Sequence, residues 1–143
     1  MQKQKVLFLC VHNTGRSQIA EAFVNRDYGD RFIAESAGFD PGKEVNPLVV
    51  EAMKELGIDL SGKKPRNLMD LVRRGDLYAY VITVCDESSA QQCPVFPGVT
   101  TRLHWSFEDP SLFTGGKDER LDKIRRLRDR IRDRIDEFIA SLK

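Results

Sequence analysis

Residues 5–17 read KVLFLCVHNTGRS, from Lys5 to Ser17, and this stretch decides the fold. Its first half is an almost continuous apolar run, which is typical of a strand buried inside a parallel sheet. Its second half follows Cys10, is polar and contains glycine, which predicts a tight loop. Apolar residues then recur at helical spacing up to Tyr28, and Gly29 predicts the end of that helix. The stretch therefore predicts a strand, a loop and a helix in direct succession.

The remaining elements alternate between strand and helix patterns. In chain order we expect a strand over Arg31–Ser36, a helix from Asn46-Pro47 to about Leu56, a loop and short helix between Pro65 and Gly75, a strand over Leu77–Val84, a short strand over Val99–His104 and a long amphipathic helix from Lys117. Strands separated by helices predict an α/β fold, a three-layer α/β/α sandwich around a parallel sheet. Ligands are then expected at the carboxyl ends of the strands.

The composition fits one soluble globular domain over residues 1–143, with 41% apolar and 31% charged residues. No stretch approaches the roughly 20 apolar residues of a membrane span. A net charge of +1 from 23 basic and 22 acidic residues creates no broad field for nucleic acid or anionic lipid, so any anion site is local. Mixed charges on the last helix are interpreted as its solvent face. Three cysteines without a secretory signal indicate a reducing compartment, and we expect a cytoplasmic monomer.

Cys10 and Arg16 form the pattern Cys-x-x-x-x-x-Arg at the end of the first strand. A loop between a strand and a helix directs backbone N–H groups and the positive end of the helix dipole at one point, which suits an oxyanion. Arg16 adds a charged fork that binds two oxygens of the same anion. The same field stabilises the thiolate of Cys10 and makes it a nucleophile. The predicted oxyanion-binding residues are Val11, His12, Asn13, Thr14, Gly15 and Arg16.

Two other interpretations of this loop are weaker. Cys10 would be an inert core thiol if the loop were an ordinary turn between a strand and a helix. A nucleotide-binding P-loop requires a Gly-Lys-Ser/Thr ending that is absent here. His12 lies inside the loop with its side chain expected to turn away, so we assign it no catalytic role.

A general acid is needed because an oxygen leaving group departs more easily when it is protonated. Asp109 is the best candidate, since it lies in a proline-fixed loop after the last strand, on the same expected rim as Cys10. Asp-Pro is also a frequent turn pair, so Asp109 as a simple turn-former is the alternative. Glu108 is the reserve candidate.

Cys85 and Cys93 suggest redox chemistry. Cys85 also ends a strand, and if that strand lies beside the first, a disulfide with Cys10 becomes geometrically conceivable. Cys93 follows after a polar stretch, which favours a relay of thiols over a buried thiol and a stray one. A zinc site is the competing use of thiols. It is disfavoured because His12 and His104 are the only histidines and no close cysteine pair exists.

Taken together, these motifs closely resemble the thioredoxin-coupled arsenate reductases, which are built on the low-molecular-weight protein tyrosine phosphatase fold. The resemblance spans nearly the whole chain and is carried by Cys10–Glu21, Glu35–Gly38, Val84–Asp86, Cys93-Pro94 and His104–Pro110. It implies a four-stranded parallel sheet, arsenate as substrate, thioredoxin as reductant and no cofactor.

The resemblance also implies a role for each site residue. Cys10 attacks arsenate held by the loop and Arg16, while Ser17 hydrogen-bonds the thiolate, Asn13 shapes the loop and Asp109 protonates the leaving hydroxide. Cys85 then attacks Cys10 and releases arsenite. Cys93 attacks Cys85 in turn, and thioredoxin reduces the disulfide between Cys85 and Cys93. The spacing from Cys85 to Cys93 is one residue longer than in familiar members, which a flexible loop tolerates.

One departure from the family pattern concerns potassium. In potassium-dependent relatives the residues matching Asn13, Glu21 and Ser36 are joined by an aspartate that aligns near Arg66 here. We therefore expect no bound metal, with the guanidinium in its place.

Two other functions compete with arsenate reduction. A phosphatase would use Cys10 for a phosphocysteine intermediate and hydrolyse phosphomonoesters. Such phosphatases resemble one another in having tyrosines directly after the Asp-Pro pair, whereas this chain has Ser-Leu-Phe113. A phosphatase also needs neither Cys85 nor Cys93. A non-catalytic oxyanion-binding module is the second rival.

Overall fold

A parallel sheet forms the centre of the molecule. The computed structural model describes residues 3–85 and 100–142. Within them the strands are β1 (Gln4–Cys10), β2 (Phe32–Gly38), β3 (Tyr80–Thr83) and β4 (Thr101–His104), and they pair in the order β2-β1-β3-β4. All of these pairings are parallel. The predicted four-stranded parallel sheet is thus confirmed.

Helices cover both faces of this sheet, which gives the expected three layers. The helices are α1 (Arg16–Tyr28), α2 (Pro47–Lys54), α3 (Leu68–Arg74) and α4 (Lys117–Ser141), with a short 3₁₀ helix over Pro110–Leu112. Val6 and Phe8 of β1 point into the larger core, which α1, α2 and α4 close. Leu7 and Leu9 alternate with them and pack against α3 on the opposite face. Because β1 is buried on both faces, its sequence is almost continuously apolar.

Local sequence signals explain where α2 and α3 begin and where α3 ends. Asn46 caps α2 as predicted, since its side chain accepts a hydrogen bond from the backbone N–H of Leu48 at 2.9 Å. Asn67 caps α3 in the same way, and Gly75 ends that helix in the left-handed conformation, with φ of 72°. Helix α1 differs, because Gly15 precedes it and no side chain caps it. Its first amide groups are therefore left for other partners.

The predicted bounds of β2, β3 and β4 differ from the structure. The strand expected over Leu77–Val84 covers only Tyr80–Thr83, because the chain first has to cross from α3 to the sheet and Leu77 remains 74% exposed. The second strand extends beyond Ser36 to Gly38, where it still pairs with Cys10 of β1. The last strand begins at Thr101, and the expected start at Val99 lies outside the described residues.

The outer edge of β2 is occupied by a side chain from α1. Asn25 donates a hydrogen bond to the carbonyl oxygen of Ala34 at 3.0 Å and accepts one from its N–H at 2.8 Å. The amide thus satisfies backbone groups that an edge strand otherwise leaves open to further pairing. None of the helices in the described part of the chain combines the length and apolar character that crossing a membrane requires.

Replacing Leu127 with alanine tests the core beneath α4. Leu127 is fully buried, with an exposed fraction of 0%, so Leu127→Ala is expected to lower the free energy of unfolding by about 3 kcal/mol. The neighbouring Arg126 has a side chain that is 76% exposed and pairs with Asp122, so Arg126→Ala should change it by less than about 0.5 kcal/mol. Chemical denaturation of both variants measures the difference, and equal losses would contradict this packing.

Candidate active site

The loop of residues 11–15 joins β1 to α1 and turns its carbonyl groups outwards. Each carbonyl oxygen accepts a hydrogen bond from a neighbouring segment. The donors are the backbone N–H of Asp40 to Val11 (2.9 Å), of Gly42 to His12 (3.0 Å), of Asn46 to Thr14 (2.9 Å) and of Ile19 to Gly15 (2.9 Å), and the side-chain amide of Gln18 to Asn13 (3.2 Å). The loop is thereby fixed from outside by the chain between β2 and α2 and by the first turn of α1.

Because the carbonyl groups of this loop point outwards, its backbone N–H groups have to point inwards. The described residues contain no cis peptide bond, and in a trans peptide the N–H group points away from the preceding C=O. The amides of residues 12–16 are therefore directed into the concave side of the loop. The N–H of Asn13 illustrates this, because it points at the sulfur of Cys10 at 3.2 Å. Helix α1 adds the positive end of its dipole, and no acidic residue in its first turn offsets it.

Cys10 lies at the bottom of this concave surface, which we call the cradle (residues 10–16). Its sulfur is 2.8 Å from the hydroxyl oxygen of Ser17 and accepts the N–H of Asn13, and the residue is only 2% exposed. The side-chain amide of Asn13 donates to the same hydroxyl at 2.7 Å. Hydrogen bonds of this kind stabilise negative charge on a sulfur atom. The arrangement suits a thiolate nucleophile beneath a bound oxyanion.

Arg16 and Asp109 meet at the rim of the cradle. Arg16 is 4% exposed, its guanidinium donates to the carbonyl oxygen of Phe107 at 3.0 Å, and its second terminal nitrogen is 3.8 Å from Oδ2 of Asp109. The loop after β4 therefore holds the guanidinium beside the cradle. A Cβ placed on Gly15 would lie 2.9 Å from Cγ of Pro110, so this loop packs directly on the cradle. Only glycine permits that approach.

The two carboxylate oxygens of Asp109 have different neighbours. Oδ1 accepts hydrogen bonds from the N–H and hydroxyl of Ser111, at 2.9 and 2.8 Å, and so caps the 3₁₀ helix. Oδ2 faces Arg16. Asp109 is therefore a turn-former through Oδ1, as the alternative interpretation held, while Oδ2 is directed towards the cradle residue Arg16. Glu108, the reserve candidate, pairs instead with Arg130 of α4 at 3.1 Å.

The imidazole of His12 is directed away from the cradle. Its Nδ1 lies 2.8 Å from the carbonyl oxygen of Asp40, and the side chain is 44% exposed. Only the backbone of His12 belongs to the cradle, and its side chain turns away as expected.

The second cysteine lies at the same end of the sheet. β1 pairs with β3, with Leu9 opposite Thr83, and the N–H of Val84 donates to the carbonyl of Leu9 at 2.8 Å. Continuing that register puts Cys10 beside Val84 and Cys85 one position further. Both cysteines belong to the larger core, and Cys85 is 0% exposed. Cys93, the third predicted redox residue, lies outside the described residues.

A buried carboxylate behind the cradle is held by two cations. Glu21 on α1 has a side chain that is 4% exposed, and its oxygens lie 2.6 Å from Nζ of Lys63 and 3.6 Å from the guanidinium of Arg66. The hydroxyl of Ser36 donates to the same carboxylate at 3.1 Å. The backbone N–H of Arg66 also donates to Oδ1 of Asn13 at 2.8 Å, which links this cluster to the cradle.

These contacts do not fit a bound potassium ion. The oxygens of Asn13 and Glu21 that would surround it already accept N–H donors or face cations. The predicted guanidinium of Arg66 is present, but the closer cation is Lys63, which sequence reasoning missed. Nothing in the linear sequence distinguishes Lys63 from the neighbouring Lys64. Within residues 3–85 and 100–142, no three His, Cys, Asp or Glu side chains form a group that could hold a metal ion.

Arg66 also lies 3.9 Å from Glu35, a second carboxylate on β2. Burial raises the pKa of Glu35, but hydrogen bonds from Tyr78, Lys5 and Arg74 outweigh it and leave the pKa below its ordinary value. Glu35 is thus anionic at neutral pH. Lys63 and Arg66 therefore lie beside fixed negative charges, and the charges behind the cradle balance one another locally.

The chain is similar over nearly its whole length to known proteins. The family model described as low molecular weight phosphotyrosine protein phosphatase matches residues 5–143. The chain is 39% identical over 142 residues to an arsenate reductase of Halalkalibacterium halodurans, covering 99% of each chain. A crystal structure of arsenate reductase from Archaeoglobus fulgidus superposes with a TM-score of 0.73 and 34% identity, covering 94% of this chain and 98% of that one. The thioredoxin-dependent arsenate reductase of Corynebacterium glutamicum superposes with a TM-score of 0.66 and 34% identity, covering 97% of this chain and 63% of that one.

Salt exchange and Lys63→Met test the cluster behind the cradle. Because Lys63 already neutralises Glu21, thermal unfolding of the wild type is expected at the same temperature in potassium and sodium chloride of equal concentration. In Lys63→Met the buried carboxylate keeps only the more distant cation, Arg66. We expect the free energy of unfolding to fall by about 1–3 kcal/mol, a modest value because Lys63 is partly exposed. Lys64→Met is the matched control with little expected effect. A wild type stabilised by potassium alone would contradict this assignment.

Proposed function

We propose that this chain, which belongs to the low molecular weight phosphotyrosine protein phosphatase family, is a thioredoxin-coupled arsenate reductase. Relatives that match 99% of its length are named arsenate reductase, and one similar structure is named a thioredoxin-dependent arsenate reductase. The structural observation that carries the proposal is the position of Cys85. It lies at the carboxyl end of the strand next to Cys10 and in the same core, so a second thiol is held at the same end of the sheet as the first. A reductase requires such a thiol and a phosphatase does not.

The first step is the binding of arsenate in the cradle. The amides of residues 12–16 and the guanidinium of Arg16 surround its oxygens, and the sulfur of Cys10 faces the arsenic atom. Cys10 displaces one oxygen as hydroxide, and Asp109 supplies a proton through Oδ2, so that water leaves. An arsenic–sulfur bond has formed and an arsenic–oxygen bond has broken. Arsenic is still in oxidation state five.

The redox change occurs in the second step. The thiolate of Cys85 attacks the sulfur of Cys10, and the electron pair of the arsenic–sulfur bond passes to arsenic. Arsenic is reduced to oxidation state three and leaves as arsenite, while the two thiols are oxidised to a disulfide. Cys93 then attacks Cys85 and releases the Cys10 thiolate. Thioredoxin, a dithiol, reduces the disulfide between Cys85 and Cys93 and completes the cycle.

Hydrolysis of phosphomonoesters is the second candidate function. The cradle and Asp109 suit phosphoryl transfer as well as arsenate chemistry, because both substrates are tetrahedral oxyanions. The residue after Asp109-Pro110 argues against it as the main activity. The side chain of Ser111 folds back onto Asp109, and the exposed Leu112 offers no aromatic ring to a phosphotyrosine substrate. We therefore expect phosphatase activity only as a side reaction.

The proposed activity also bears on the location, domain number and oligomeric state of the protein. Thiols that cycle through thioredoxin require a reducing compartment, which supports a cytoplasmic location. The family model covers residues 5–143, which supports one domain. The active site proposed here uses residues of one chain, so we propose a monomer that needs no cofactor of its own.

Removing either relay cysteine separates the two functions. Cys85→Ser and Cys93→Ser are each expected to abolish repeated turnover of arsenate, because Cys10 can then react only once without being regenerated. Hydrolysis of p-nitrophenyl phosphate should persist in both variants, since it needs only Cys10. NADPH oxidation coupled through thioredoxin reductase and thioredoxin measures the first activity, and absorbance of p-nitrophenolate measures the second.

Cys10→Ser is the control that should lose both activities. Repeated arsenate turnover in Cys85→Ser or Cys93→Ser would remove that cysteine from the cycle. A wild type that hydrolyses the phosphate ester but never oxidises NADPH with arsenate would make the chain a phosphatase instead.

The position of Asp109 is tested by two substitutions. Asp109→Asn removes the proton donor, and kcat for arsenate reduction should fall about 10²–10⁴-fold without an increase in KM. Gly15→Ala forces a Cβ to within 2.9 Å of Pro110 and should displace the loop that carries Asp109, which also lowers kcat. Gly62→Ala is the matched control, because a Cβ there meets no atom within 4 Å. Wild-type kcat in both Asp109→Asn and Gly15→Ala would exclude Asp109 as the acid.

A further inference from the structure

We propose that Gln18 is a positioning residue of this site, and that it sets both the direction of the Thr14 amide towards the anion and the direction of the Ser17 hydroxyl towards Cys10. The inference rests on the proposed function only in taking the cradle as the place where an oxyanion and a thiolate meet. It assigns to Gln18 no contact with substrate. Gln18 lies in the first turn of α1 and is 1% exposed.

The first observation concerns the carbonyl of Asn13. The other carbonyls of residues 11–15 accept backbone N–H groups, which almost any side chain at the donor position would supply. The carbonyl of Asn13 instead accepts the side-chain amide of Gln18, at 3.2 Å. This bond holds the peptide between Asn13 and Thr14 with its oxygen outwards. The N–H of Thr14 consequently faces the cradle, where it can bind an oxyanion.

The second observation concerns the side-chain amide of Asn13. Its Oδ1 accepts from Nε2 of Gln18 at 3.0 Å and from the backbone N–H of Arg66 at 2.8 Å. Two donors on this side require the oxygen to lie there, so the NH₂ group has to face Ser17, 2.7 Å away. The Ser17 hydroxyl therefore accepts from Asn13, and its single proton is left for the sulfur of Cys10, at 2.8 Å. A directed chain of donors runs from Gln18 through Asn13 and Ser17 to Cys10.

The backbone of Asn13 explains why it needs two anchors. Asn13 has φ of 56° and is the only non-glycine residue with positive φ among the described residues. Asparagine tolerates this left-handed conformation better than most residues, but it remains unfavourable compared with the ordinary regions. The Gln18 amide bonds both the carbonyl and the side chain of Asn13, so it fixes the strained residue from two directions.

A third observation indicates that the side-chain amide of Gln18 serves as a hydrogen-bond donor, through its NH₂ group. Oε1 of Gln18 is buried and has no hydrogen-bond partner among the described residues. An unsatisfied buried oxygen destabilises the folded state, and a methionine of similar length would avoid that loss. A side chain that is unfavourable for folding in this way is expected where its other atoms serve the site.

The test is Gln18→Met in a chain where Cys85 and Cys93 are both serine, so that Cys10 is the only thiol. The rate of Cys10 alkylation by iodoacetamide is measured against pH, and protection by arsenate and by inorganic phosphate is titrated at fixed pH. Loss of one hydrogen bond to a charge-bearing network should raise the pH midpoint of alkylation by about one unit. Loss of the fixed Thr14 amide should weaken protection by both anions by about tenfold.

Asn25→Leu in the same background is the matched control. Asn25 is another amide of α1 that hydrogen-bonds backbone groups, but its partner is Ala34 at the sheet edge. This variant should lower the unfolding temperature and leave the pH midpoint and anion protection unchanged. Gln18→Met should instead shift the pH midpoint and weaken anion protection, whatever its effect on the unfolding temperature.

Gln18→Leu covers the case in which the methionine variant fails to fold. Leucine can neither donate nor accept a hydrogen bond and adds no charge beside the cradle, so the same shift and the same loss of protection are expected. A parent-like midpoint and parent-like protection in the folded Gln18 variants would overturn the proposal, whatever their stability. Because alkylation and protection require no turnover, a chain that fails to reduce arsenate would contradict the proposed function without deciding the role of Gln18.

Discussion

The structure depends on one constraint, which is that the carbonyl groups of residues 11–15 all point out of the loop between β1 and α1. A peptide unit has its C=O and N–H on opposite sides, so binding every oxygen from outside leaves the amides directed inwards. A concentration of amide dipoles would be unfavourable without an anion, and it persists because the surrounding chain fixes it. The anion therefore meets groups that are already oriented, which reduces the reorganisation needed during reaction.

The parallel sheet explains why the proposed catalytic residues lie at the same end of the molecule. Strands β1, β3 and β4 all end at the same edge, so the residues that follow them share one rim. Cys10 comes from the first of these strands, Cys85 follows the second, and Asp109 lies in the loop after the third. The absence of a side-chain cap on α1 belongs to the same design, because Gly15 leaves the first amides of the helix to the cradle and lets Pro110 approach it.

The sequence allowed us to predict residues whose role follows from the pattern of their immediate neighbours in the chain. The run from Lys5 to Ser17 predicted the strand, loop and helix, and with them the cradle, because buried strands and helix starts have local signatures. Lys63 and Glu21 could not be paired in this way, since their contact joins two segments separated by a strand and a helix. The left-handed backbone of Asn13 and the bridging amide of Gln18 were missed for a related reason. Both depend on which atoms the folded loop leaves without a partner.

The cluster of Glu21, Lys63 and Arg66 shows how the rigid loop is compatible with a buried charge. Glu21 follows the cradle residue Arg16 by less than two turns of α1, so an unbalanced carboxylate there would oppose the binding of an anion. A dissolved cation could balance it, but only in proportion to its occupancy. Lys63 is joined covalently to the chain and loses no translational freedom when it approaches Glu21, so it neutralises the carboxylate without a dissolved cation. The backbone of Arg66 meanwhile holds Asn13, so one short segment both balances the charge and fixes the loop. Electrostatic balance and loop geometry are therefore not separate properties of this protein, because both are supplied by residues 63–66.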